Sequence, residues 1–204
     1  MGFLDSVKKS AAKTKKQSEI VLLDREIASI QRAFGVTLYD LLAGAVYSGH
    51  ATPALLKKQP EVASAFDKFA KEIRTHEAEK EAKIKEIEIC DVKKDTRLPA
   101  TNAKEKLGNF SKYLGDTTQS TKLRADVVML GRSIKQKKEA FGVDIFDQVV
   151  LSSDNTNTAG WRQAMTSAVN KQIASAIDKA KQNVSVPMSK KETKTREIAL
   201  LDQE

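Results

Sequence analysis

Four prolines, at positions 53, 60, 99 and 187, leave three long stretches without proline: 1–52, 61–98 and 100–186. Proline removes a backbone donor and clashes with the preceding turn, so these stretches are where long helices can run. Aromatic residues make up 5% of the chain and there are nine glycines, poor material for a β-sandwich or barrel. Hydrophobic residues reach 40% of the 204 and charged residues 30%. That is enough for a core and too apolar for a disordered polyelectrolyte.

The apolar spacing agrees. Ile20, Leu23, Ile27, Ile30, Phe34, Leu38, Leu41 and Ala45 step by three or four, which places them on one helix face near a coiled-coil seam. A second helix is expected to start at Pro60, a residue favoured at a first helical position, with Val62, Phe66, Phe69, Ile73, Ile84 and Ile87 on its face. Residues 93–120 read as a connector holding a short helix over 103–114. A third helix follows over 121–150. After the polar run Ser152–Gly160, a fourth carries Trp161, Met165, Ile173 and Ile177 and is expected to end at Pro187. The expected fold is all-α: two long helical hairpins in tandem, packed as an elongated four-helix bundle. The segments are a basic amphipathic start (1–13), hairpins over 14–92 and 121–186, the connector between them, and a tail (187–204).

The two hairpins look like copies. At a constant offset of 107, residues 14–42 and 121–149 are identical at eleven of 29 positions, including Val21/Val128, Leu23/Leu130, Ile27/Ile134 and the run Ala33–Val36 over Ala140–Val143. A glycine inside a helix costs about 1 kcal/mol relative to alanine, and here it recurs at one register. Phe34, Gly35, Val36, Phe141, Gly142 and Val143 are therefore expected to form a helix-packing seam, with the phenylalanines as core plugs. The tail adds a partial third copy. Residues 197–204 match residues 19–26 at six of eight positions, so Ile198, Leu200 and Leu201 are candidates to dock where an Ile20–Glu26 segment would sit, in the same molecule or a neighbour.

The net charge of +8 is uneven. Five lysines against Asp5 give residues 1–16 a charge of +4; residues 61–92 carry −3 and residues 93–140 carry +7. Phe3, Leu4 and Val7 lie on one side of the first turns with Lys8, Lys9, Lys13, Lys15 and Lys16 around them, the pattern of an interfacial amphipathic helix. These eight residues are the candidate contacts for an anionic membrane surface, and Gly2 with Ser6 fits the loose acylation pattern. An amphipathic start followed by long basic helices resembles the plan of membrane-remodelling scaffolds such as BAR domains, and that resemblance implies contact with lipid.

Other chemistries find little footing. The two histidines, His50 and His76, lack a second ligand at metal spacing. No phosphate-cradling glycine loop is present. Cys90 reads as a small buried hydrophobe. No aromatic residue interleaves the basic runs to stack nucleic-acid bases. No cofactor, metal, catalytic residue or small-molecule substrate is expected. The leading expectation is a non-enzymatic helical scaffold, cytoplasmic and peripheral at a membrane, that self-associates or binds another helical protein. The alternatives are a protein-binding adaptor without a membrane role and, less favoured, a nucleic-acid-binding helical protein.

Overall fold

The computed structural model describes residues 3–49, 52–95, 103–152 and 167–203. Among them the fold is all helix. The elements are α1 (Phe3–Tyr47), the short α2 (Ala54–Lys58), α3 (Pro60–Asp95), α4 (Ala103–Phe146) with a π-helical turn at Asp147–Leu151, and α5 (Ala168–Gln203). Gly49, at φ +74°, takes the left-handed conformation that stops α1. The Ala54 amide at the start of α2 donates to Asn170 Oδ1 at 3.1 Å. Proline stands first in α3, where its missing donor costs nothing.

The chain forms two compact units. The first takes Met1–Asp67 with Lys138–Glu204. Its core is an aromatic cluster in which Tyr39, Phe66, Phe141 and Phe146 are almost completely buried. Leu38, Leu42 and Ile145 from α1 and α4, Val62 from α3, and Ile173 and Ile177 from α5 fill the space around them. Here α1 and α5 run antiparallel. Moving up α1, the ion pairs Lys13–Asp202 (2.8 Å), Lys16–Glu197, Glu19–Lys194 (3.0 Å) and Asp24–Lys191 (2.6 Å) descend along α5. The second unit, Lys68–Lys137, pairs the rest of α3 with α4. Glu72–Lys137 (2.5 Å), Lys83–Asp126 (2.8 Å) and Asp91–Arg124 (2.9 Å) again descend one helix while climbing the other. Phe69, Ala70, Ile73, Cys90, Leu123 and Ile134 are buried here.

Three expectations are corrected. The helices were expected to pair within each hairpin, first with second and third with fourth; instead α1 lies on α5 and α3 on α4. All four helices carry an apolar face of the same period, so periodicity could not choose between these pairings. The expected connector over 93–120 is, from Ala103, already part of α4. Gly108 and Gly115 have open space around them, and a cost of about 1 kcal/mol each does not break so long a helix. Pro187 does not end the last helix; it lies buried inside α5. Buried Val184 before it and the Lys191 and Lys194 ion pairs after it hold both flanks of the proline on α1.

Candidate interaction surfaces

The lysines of the amphipathic start divide by face. Lys13 and Lys16 turn towards α5, where Lys13 donates to Asp202 and Lys16 to Glu197. The Lys16 hydrogen bond, with the charge of Lys194, holds the Glu197 carboxyl below its ordinary pKa. Lys8 and Lys15 are exposed on the other side beside Val7, which is 50% exposed, and Lys9 is half-buried. Phe3 and Leu4 belong to α1, but their side chains, like Gly2, lie outside the described residues. His50, Trp161 and Met165 also lie outside them. His76 is half-buried with Nδ1 3.6 Å from Glu79.

The Phe-Gly-Val segments meet. A Cβ on Gly35 would stand 2.5 Å from the Gly142 amide nitrogen and from the Lys138 carbonyl oxygen, and one on Gly142 would stand 2.5 Å from the Gly35 nitrogen. Only glycine lets two helix backbones approach this closely. The contacts are reciprocal at the offset of 107. Phe34 meets Phe146 edge-to-face at 5.5 Å, and Tyr39 meets Phe141 edge-to-face at 5.9 Å. Each position in one contact is the counterpart of a position in the other, as across a two-fold axis. Phe34 and Phe141 are buried; Val36 is half-buried, and Val143 is 46% exposed and stands off the seam.

The tail lies against α1 in the same molecule. Ile198 and Leu201 are half-buried on the inner face of α5, whereas Leu200 points outward. Between the helices runs an open groove of about 440 Å³ lined by Leu22, Leu23, Lys190, Thr193 and Glu197.

Sequence reasoning missed that several apolar side chains on these helices stay uncovered. Leu22 is 62% exposed and its counterpart Met129 is 64% exposed, with Val21 and Val128 beside them at 49% and 53%. The shared offset was the available signal, but inner and outer positions of a helix cannot be told apart before its partner is known. Among the described residues no group of three metal-ligating side chains occurs, and no helix is long and apolar enough to cross a membrane. The geometry defines an all-α helical bundle. Compared with protein-family models, curated proteins and solved structures, the chain finds no match.

Proposed function

We propose that this chain is a non-enzymatic helical scaffold that associates with itself and rests on an anionic membrane surface through the outer face of the first turns of α1. The observation that carries self-association is the pair of uncovered apolar positions, Leu22 and Met129, at matching places on α1 and α4. The adjacent pairs Val21–Leu22 and Val128–Met129 are uncovered at the same register of the two helices, and this repeated apolar exposure supports a surface for association. The reciprocal contacts across Gly35 and Gly142 support reading the chain as a duplicated hairpin whose second helices are exchanged. The membrane part is supported by Val7, Lys8 and Lys15, which share an exposed face. An adaptor that receives its partner at Gly35 is less favoured, because Gly142 already occupies that place.

Light scattering of the full chain over a range of concentrations tests the first part; a monomer mass throughout rejects it. Co-sedimentation with anionic and neutral vesicles tests the second, comparing the native chain with Lys8→Glu/Lys15→Glu. Both lysines are exposed on the face turned away from α5. Selective binding to anionic vesicles that the variant loses is the expected result. Equal binding of both proteins to both vesicles rejects membrane contact.

A further inference from the structure

The α1·α5 pair lacks two groups that its counterpart on α3·α4 carries. Lys194 meets Glu19 at 3.0 Å as Lys83 meets Asp126 at 2.8 Å, and Glu19 and Asp126 lie 107 residues apart like the rest of the repeat. The two lysines therefore mark equivalent levels. Fourteen residues before Lys83 is Phe69, and fourteen before Lys194 is Ala180. The same register sets Lys179 level with Lys68 and Asn183 level with Glu72, and the dipeptide Asp67-Lys68 recurs as Asp178-Lys179.

On α3 the ring of Phe69 is buried with Lys68 Nζ 5.3 Å from its centroid, and one turn on Glu72 pairs with Lys137 at 2.5 Å. On α5 the ring is gone and Ala180 stands in its place; the ion pair becomes Asn183 with Ile30. Buried Ile177, Val184 and Phe34 hold the two helices at their spacing, so the missing side chains leave a space. It is an open groove of about 380 Å³, lined by Ile30 and Phe34 of α1 and by Ala176, Lys179, Ala180 and Asn183 of α5. Lys179 is exposed and supplies the charge of this lining, and no described carboxylate pairs with it.

We propose that this groove is a binding site for a small aryl-alkanoate, a flat apolar ring that carries a carboxylate on a short chain. The ring fills the place of the Phe69 ring, beside Ala180 and Phe34. The carboxylate takes the place of the Glu72 carboxylate and accepts hydrogen bonds from Lys179 Nζ and Asn183 Nδ2. Groups at i and i+3 of a helix stand about 5–6 Å apart, a span that two methylenes between ring and carboxylate cover. Charge selects the anion, because the groove offers an uncompensated cation and a ring bearing an amine would meet a like charge. An apolar body held by a few convergent polar groups is the ordinary make-up of a small-molecule site. The association and membrane surfaces use none of these residues, so the site goes beyond the scaffold reading and stands apart from it.

Titration of the full chain with 3-phenylpropionate, followed by calorimetry and by the methyl resonances of Ile30, tests this. One saturable site per chain, with shifts at Ile30, is expected. The uncharged 3-phenylpropanol should bind at least about tenfold more weakly, since hydrogen bonds to a charged group are the stronger ones. Lys179→Gln, at an exposed position, should remove that preference. Ala180→Phe puts the ring of α3 into α5 and should abolish binding, with helical circular dichroism as the check on folding. If Ala180→Phe does not fold, Ala176→Leu fills the groove more gently and should abolish binding in its place. No saturable binding, equal binding of acid and alcohol, or binding that survives the filled groove overturns the site. Loss of self-association in the filled variant, with no binding of the acid by the native chain, would assign the groove to a second copy and overturns the site as well.

Discussion

The α1·α5 and α3·α4 pairs run antiparallel in nearly the same register, yet they are held by different chemistry. Along residues 13–24 of α1 no side chain is fully buried, and four ion pairs to α5 carry the contact. At the corresponding positions of the other pair, Leu123 replaces Lys16 and Cys90 replaces Glu197, and both are buried. Ion pairs open to solvent are screened and add little, whereas a buried leucine contributes about 2 kcal/mol. The outer arm of α1·α5 is thus the looser of the two and depends more on salt and pH than α3·α4, whose own ion pairs are backed by buried apolar side chains. The same register can be kept by either chemistry because it is set elsewhere in α1, where buried Phe34, Leu38 and Leu42 lock the helix into the aromatic core.

That contrast can be broken in several places. The largest effect is expected at the aromatic core. Phe141→Ala removes a fully buried ring that touches Tyr39 and Phe66 and should cost about 4 kcal/mol in urea unfolding. Leu123→Ala in α3·α4 should cost about 2–3 kcal/mol. Equal losses would mean that the core is not concentrated where α1 meets α4.

Glycines come next. Gly35→Ala places a methyl against the Gly142 backbone and should cost about 2–3 kcal/mol through overpacking. Gly115→Ala, in open space within α4, should instead stabilise by about 1 kcal/mol. Opposite signs in thermal melts are the check.

Grafting the apolar layer sharpens the comparison further. Lys16→Leu with Glu197→Val copies the chemistry of Leu123 and Cys90 into α1·α5 and should raise stability by about 1 kcal/mol. It should also flatten the salt dependence of unfolding, because one of the four exposed ion pairs is gone.

Acid has the smallest effect. Hydrogen bonds from Lys194 and Lys16 hold the Glu19 and Glu197 carboxyls below their ordinary pKa. A carboxyl lowered in the folded state stabilises above its unfolded pKa of about 4.3, and that stability is lost as pH falls through the lower folded value. Asp126 beside Leu123 is lowered in the same way by Lys83, but there buried Leu123 and Cys90 remain to hold the helices together. Hydrogen exchange at pH 3 should therefore show the amides of residues 13–24 opening more than those around Leu123. Equal opening of the two would refute the contrast.

Much of this was legible in the chain. The apolar face from Ile20 to Ala45 is the inner face of α1, Pro60 begins α3, and the glycine repeated at 35 and 142 marks a close backbone approach. Less legible were Gly108, Gly115 and Pro187, where a local cost looked like a break. Helix propensity penalties of about 1–3 kcal/mol are outweighed when long flanking segments are packed. Of the candidate surface at the amphipathic start, composition supplied the lysines but could not divide them. Lys13 and Lys16 point inward and Lys8 and Lys15 outward only because α5 lies where it does.

What the sequence determined by itself is the set of long helices, the apolar face of each and the glycine register, since these follow from local sterics and a period of 3.6 residues. Which helix lies on which was decided only in the tertiary structure. Four apolar faces of equal period are interchangeable as patterns. Side-chain volume at the crossing of Gly35 with Gly142, and the charges that descend α5 against α1, discriminate among the pairings, and both depend on residues far apart in the chain.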